Sequence, residues 1–192
     1  LWPSAYTDYH VLNSSCRQDM VRQYVDAFRS RGLTPALYFS IWDRQHGVES
    51  GSITAAGIDL VKGQLTELLT GYGEIPLLVL DGWSWQMGHQ QIPYGEIRAL
   101  IKSLRPDCLI MGIDGVTEPW DTDIVFFEEP KGVWAPTDNT YAACQAQNIV
   151  PTGWFWHPAT PLATPMSTRD IVAGHLAPLE SRYTTFLLNC PP

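Results

Sequence analysis

IPLLVLDGWSW, residues 75–85, runs apolar through Leu80 and then stops on Asp81, Gly82 and two tryptophans. A short apolar run bounded by turn residues, with no polar face, reads as a strand buried on both sides, the kind found in parallel sheets covered by helices. An acid at the end of such a strand is held rigidly and lies where a substrate can reach it. Outward from this stretch the chain alternates helix and strand. GIDLVKGQLTELLTGYG (57–73) precedes it with apolar residues at three-and-four spacing, and YGEIRALIKSLRP (94–106) follows and leads into CLIMGID (108–114). Upstream, SCRQDMVRQYVDAFRSRG (15–32) gives a helix closed by Gly32, followed by LTPALYFSIWD (33–43). Downstream, DIVFFEE (123–129) reads as a strand, NTYAACQAQ (139–147) as a weak helix before the strand TGWFWHP (152–158), and STRDIVAGHLAPLESRY (167–183) as a helix before TFLLNCPP (185–192). The expectation is six strands and five helices.

Strands apolar on both faces and separated by helices give the α/β class. Several of them end in residues capable of chemistry: Asp43, Asp81, Asp114, Glu128 with Glu129, and His157. In a parallel barrel all such ends open on one mouth, whereas an open doubly wound sheet would line one edge with them. No glycine-rich phosphate loop follows any strand, so the (β/α)8-like, TIM-type barrel is the better reading. A complete barrel commonly needs about 250 residues. With six of eight strands visible, the 192 residues read as one partial barrel domain, 1–192, with two strands upstream of Leu1 or with a partner subunit covering the exposed edges.

A net charge of −8 and the lack of any Lys or Arg run argue against nucleic acid and membrane surfaces as partners. No apolar run approaches the length of a membrane span, and the start at LWPSAYTDYH implies a processed or truncated amino terminus. The cysteines, Cys16, Cys108, Cys144 and Cys190, are scattered without metal spacing. Cys108 and Cys190 lie in apolar runs that suit buried reduced thiols. The sequon at Asn13 would matter only in a eukaryotic secretory route. A secreted or periplasmic location is the expectation.

Eight Trp and eight Tyr are many for this length. The pairs Trp83 with Trp85 and Trp154 with Trp156 suit the walls of a sugar site, because an aromatic face packs on the C–H face of a pyranose. Glycoside hydrolysis takes two carboxyl groups, one to attack or to activate water and one to protonate the leaving oxygen, about 5 Å apart in retaining enzymes. Asp81 suits the first part, and Glu128 or Glu129 the second; only one of those two can point inward from an extended strand. Phe126, Phe127 and Trp134 around that glutamate would desolvate it and raise its pKa, as an acid requires. The plainer readings are a strand-end acid that anchors a loop, a Glu-Glu-Pro terminus in solvent, and loop positions for His46 and His157. His10, His89 and His175 show no partner pattern, and no metal site is indicated.

Taken together and in order, LWPSAYTDYHV (1–11), VRQYVDAFRSRGLTPALYFSIWDRQHG (21–47), VKGQLTELLTGYGEIPLLVLDGW (61–83), IRALIKSLRPD (97–107), GWFWHP (153–158) and FLLNCPP (186–192) resemble the catalytic domain of α-L-fucosidases of glycoside hydrolase family twenty-nine. The resemblance spans nearly the whole chain. It implies an often irregular (β/α)8 barrel that releases terminal α-L-fucose from glycans with retention and without metal or organic cofactor. It places the nucleophile on Asp81 and the acid/base on Glu128 or Glu129. It assigns sugar contacts to Trp42, Trp83, Trp154, Trp156 and His157, and a fucosylated carbohydrate as the partner. Two departures stand out. The His-His-Asp-Gly motif that precedes the LWPS-like segment in the family is absent from this chain, and Val79 occupies a position commonly held by tryptophan. Those departures motivate a second reading, a non-catalytic sugar-binding or scaffold protein derived from a fucosidase barrel, and a third, a glycosidase of altered sugar specificity. A homo-oligomeric partner or a separate amino-terminal fragment would complete the pocket.

Overall fold

The computed structural model describes residues 1–49, 53–82, 94–113, 122–128, 135, 137, 140–150, 154–155 and 164–190. The chain forms two compact units, Leu1–Met111 and Gly112–Pro192. Both are built on parallel strands.

In the first unit, helix α1 spans Met20–Arg29. It starts later than the apolar periodicity suggests because the Asp19 carboxylate accepts from the Arg22 N–H at 2.9 Å, satisfying one of the free donors of the first turn. Strand β1 (Leu37–Ser40) follows, then helix α2 (Ala55–Gly71), capped by the Thr54 hydroxyl on the Gly57 N–H. Strand β2 (Leu77–Asp81), helix α3 (Tyr94–Leu104) and strand β3 (Leu109–Ile113) complete the series. The strand order is β1-β2-β3, and β1 and β2 pair parallel with Tyr38 opposite Val79 and Ser40 opposite Asp81. Period-two alternation decides what each face carries. Leu37 and Phe39, Leu78 and Leu80, and Cys108 and Ile110 join Val25, Leu65, Leu69, Ile97 and Ile101 in one buried cluster with the helices. The opposite face therefore presents Tyr38, Ser40, Val79 and Asp81. The fold thus commits one face of these strands to the helices and leaves Tyr38, Ser40 and Asp81 together on the other.

In the second unit the strand order is β4 (Ile124–Glu128), β5 (Ala143–Asn148) and β6 (Thr184–Asn189). Between β5 and β6 lie helix α4 (Thr168–Ile171), a π-helical turn (Val172–Leu176) and helix α5 (Ala177–Glu180). Val125, Phe127, Ala135 and Ala143 form its apolar core. Here the structure corrects the sequence reading. Residues 143–147, expected within a weak helix, belong with Asn148 to a strand whose six residues are all buried. The fifth strand was expected at 152–158, but Trp154 and Phe155 form a bend, and the rest of that stretch lies outside the described residues. The alanine and glutamine of ACQAQN favour helix locally, and pairing on both edges with β4 and β6 overrides that preference. Cys190 is also exposed rather than buried, because β6 ends one residue before it; Cys108 and Cys144 are buried.

Candidate active site

Asp81 closes β2 and is partly buried. Its Oδ1 accepts from the Gly82 N–H at 2.6 Å, and its Oδ2 accepts from the Tyr38 hydroxyl. Both donors orient the carboxylate, one supplied by strand pairing and one by the next residue in the chain. Tyr38 lies diagonally across the β1–β2 register on the same face, and Gly82 turns the chain away at φ +97°. A Cβ at Gly82 would stand 3.0 Å from Ile41 Cγ1 and 3.2 Å from the Trp42 backbone nitrogen, so only glycine fits between the two strand ends. The ladder continues one residue beyond β1, with the Ile41 N–H on the Asp81 carbonyl at 3.0 Å. Trp42, the predicted sugar contact, thereby sits beside the Asp81–Gly82 backbone, partly buried, with the Arg44 guanidinium 4.7 Å from its ring centroid.

Asp43 and His46 prove to be more than loop residues. The Asp43 carboxylate accepts from the His46 backbone N–H at 3.2 Å and faces Nδ1 at 2.6 Å, while Nε2 lies 2.6 Å from the Thr7 hydroxyl. His46, which the sequence leaves as a plain loop histidine, is three-quarters shielded, at 22% side-chain exposure.

In the second unit, Glu128 ends β4 on the same face as Phe126, with Oε2 closed off from solvent. Its register partner is Ala146 on β5. The next strand ends carry amides: Asn148 of β5 pairs with Asn189 of β6, and the Asn189 side-chain N–H donates to the Asn148 carbonyl oxygen and, at 2.9 Å, to the Trp154 backbone carbonyl. That bond fixes the bend carrying Trp154, the other predicted sugar contact that the structure describes. Glu129, Trp83, Trp156 and His157 lie outside the described residues. Tyr38, Asn148 and Asn189 were missed from the sequence. The alternation of LYFS could have flagged Tyr38, since it puts that residue and Ser40 on the face opposite Leu37 and Phe39.

Among the described residues no group of three His, Cys, Asp or Glu side chains is placed to hold a metal ion, and no helix is long and apolar enough to cross a membrane.

Parallel strands linked by helices, with carboxylates at strand ends, define an α/β protein. The sequence profile described as Alpha-L-fucosidase matches residues 1–192, and the chain belongs to that family. It is 30% identical over 224 residues to Alpha-L-fucosidase 1 of Arabidopsis thaliana, covering 100% of this chain and 42% of the relative. It is 29% identical over 221 residues to Putative alpha-L-fucosidase 1 of Oryza sativa subsp. japonica, covering 100% and 40%. The chain thus spans less than half the length of these curated relatives. The α-L-fucosidase isoenzyme 1 of Paenibacillus thiaminolyticus superposes with a TM-score of 0.81 at 24% identity over 100% of this chain and 51% of the other. A fucosidase of Bacteroides thetaiotaomicron, solved as a trapped covalent intermediate with 2-fluoro-fucosyl fluoride, gives 0.77 at 18% identity, covering 100% and 48%. At those identities the likeness shows the fold.

Proposed function

We propose that this chain is the nucleophile-bearing part of a retaining α-L-fucosidase, six strands of a (β/α)8-type barrel, acting on terminal fucose of glycans. The observation that carries this reading is the Asp81 carboxylate, oriented by the Tyr38 hydroxyl and the Gly82 N–H at a strand end beside Trp42, in a chain of the fucosidase family. In the proposed reaction Asp81 attacks the anomeric carbon while Glu128 or Glu129 gives a proton to the leaving oxygen. The same glutamate then takes a proton from water, which displaces Asp81 and releases fucose. Trp42 and Trp154, with Trp83, Trp156 and His157, would wall the pocket and keep water from the intermediate. The covalent intermediate trapped in the Bacteroides enzyme supports the double displacement.

The test uses the full-length protein and an aryl α-L-fucoside. Replacing Asp81 by Gly should lower kcat at least about a thousandfold, and added azide should restore turnover and appear in the product. E128Q and E129Q, compared with a substrate whose leaving group needs no proton, identify the acid/base. Unchanged turnover in D81G rejects the assignment, and fucose binding without release in the wild type favours a non-catalytic sugar-binding protein.

A further inference from the structure

The loop that follows β1 is built as a closed unit. The Asp43 N–H donates to the Val48 carbonyl at 2.9 Å and the Val48 N–H to the Asp43 carbonyl at 2.8 Å, while Ile41 and Val48, both fully buried, pin its two ends. Within it Asp43 takes both N–H groups of His46. With that proton on Nδ1, Nε2 is free to accept, and the Thr7 O–H lies 2.6 Å away, thirty-nine residues distant in sequence. The Tyr9 N–H donates to the same hydroxyl at 2.9 Å, and the Tyr9 ring meets His46 edge-on at 6.4 Å.

Thr7 in turn stands on a fixed support. The Glu67 carboxylate on α2 accepts from Trp2 Nε1 at 2.9 Å and from the Ala5 N–H at 2.6 Å, so the segment before Thr7 is clamped to a helix whose inner face is core. Glu67 of α2 thus holds the chain at Trp2 and Ala5, just before Thr7, and the hydrogen bonds from Thr7 to His46 to Asp43 carry that support to the loop that bears Trp42 next to Asp81 and Gly82. A hydroxyl, an imidazole and a carboxylate in line, each mostly shielded from water, exceed what an exposed loop needs to stay folded, since the loop already has its own backbone closure.

We propose that Thr7, His46 and Asp43 are positioning residues: they hold the loop so that Trp42 meets the sugar bound at Asp81. This inference rests on the reading of that site as fucose-binding. The residues do not touch the reacting atoms; they set how often the loop presents Trp42 in the binding geometry, so the effect belongs in substrate affinity rather than in the chemical step.

The experiment compares T7V, T7S and H46A with the wild type in the full-length protein. It measures kcat and KM on an aryl fucoside, the thermal midpoint, and the rate of trypsin cleavage after Arg44, whose side chain is 75% exposed within the loop. One net hydrogen bond is worth up to about a tenfold change in an equilibrium. T7V and H46A should therefore raise KM about five- to tenfold with kcat and midpoint nearly unchanged, and should speed cleavage at Arg44 by a similar factor, since cleavage tracks loop opening. T7S restores the hydroxyl and should match the wild type in every measurement. Wild-type KM and cleavage in T7V, a T7S variant as impaired as T7V, or a KM change matched by a fall in midpoint would each overturn the positioning role. If the wild type releases no fucose, the site assignment fails while the cleavage comparison still decides whether the loop is held; equal cleavage rates sink the proposal whatever the turnover.

Discussion

Tyr38 and Asp81 are forty-three residues apart and meet because two parallel strands pair in one register. The acid was legible from the sequence, since an apolar run ending in Asp-Gly announces a strand end. Its partner was not, because a phenol in a strand looks the same whether it packs or donates. A hydrogen bond to a charged group is worth about 1.5–3 kcal/mol. Removing it by Tyr38→Phe should therefore lower kcat on a fucoside about ten- to hundredfold. Tyr38 is 59% exposed, so the fold should lose little. Steady-state kinetics beside a melting curve checks this, and wild-type kcat in Y38F would show that the Gly82 N–H alone orients the Asp81 carboxylate. His46 teaches the same lesson, since its two partners precede it by three and by thirty-nine residues, and only the fold brings the distant one to it.

Elements were read well where the signal is local. The three-and-four spacing of α2 and the apolar runs of β2 and β4 depend on neighbours in sequence, whereas the cap at Asp19 went unread and α1 begins later than expected. Strand β5 was read as helix because its residues carry no strand signature of their own: two alanines, two glutamines, a cysteine and an asparagine. They are a strand because β4 and β6 need a partner between them, and the polar side chains are accommodated singly. Gln145, fully buried, accepts the Ala135 N–H through Oε1 at 2.7 Å. Gln145→Leu would remove that acceptor and strand a buried N–H, at a cost of about 1–3 kcal/mol. A urea titration should show the midpoint falling accordingly. An unchanged midpoint would mean that the Ala135 N–H finds another acceptor.

At the scale of the whole molecule, a buried thiol and a buried phenol couple folding to pH. Burial pushes the Cys144 thiol from 9.0 up to about 12, and the Tyr72 hydroxyl is raised above 10.0 first by burial and then by its hydrogen bond to Asp19. Both groups hold their protons more tightly folded than unfolded. The stability they lend is complete below the unfolded values and drains away as pH rises through them toward the folded ones. Urea midpoints should thus be flat near neutrality and fall above about pH 9, each such group adding at most about 1.4 kcal/mol per pH unit. Cys144→Ala should flatten the first part of that fall; an identical slope in the variant would remove Cys144 as its cause. The same logic of burial separates what could be read in advance from what could not. By itself the sequence determined the α/β class, the strand ending at Asp81 and the carboxylate there, because periodicity and turn residues act over a few residues. Only the tertiary structure decided which donors face that carboxylate, that residues 143–148 extend rather than coil, and that Thr7 reaches His46, because those contacts join residues far apart in the chain and become favourable only once the strands and helices have packed.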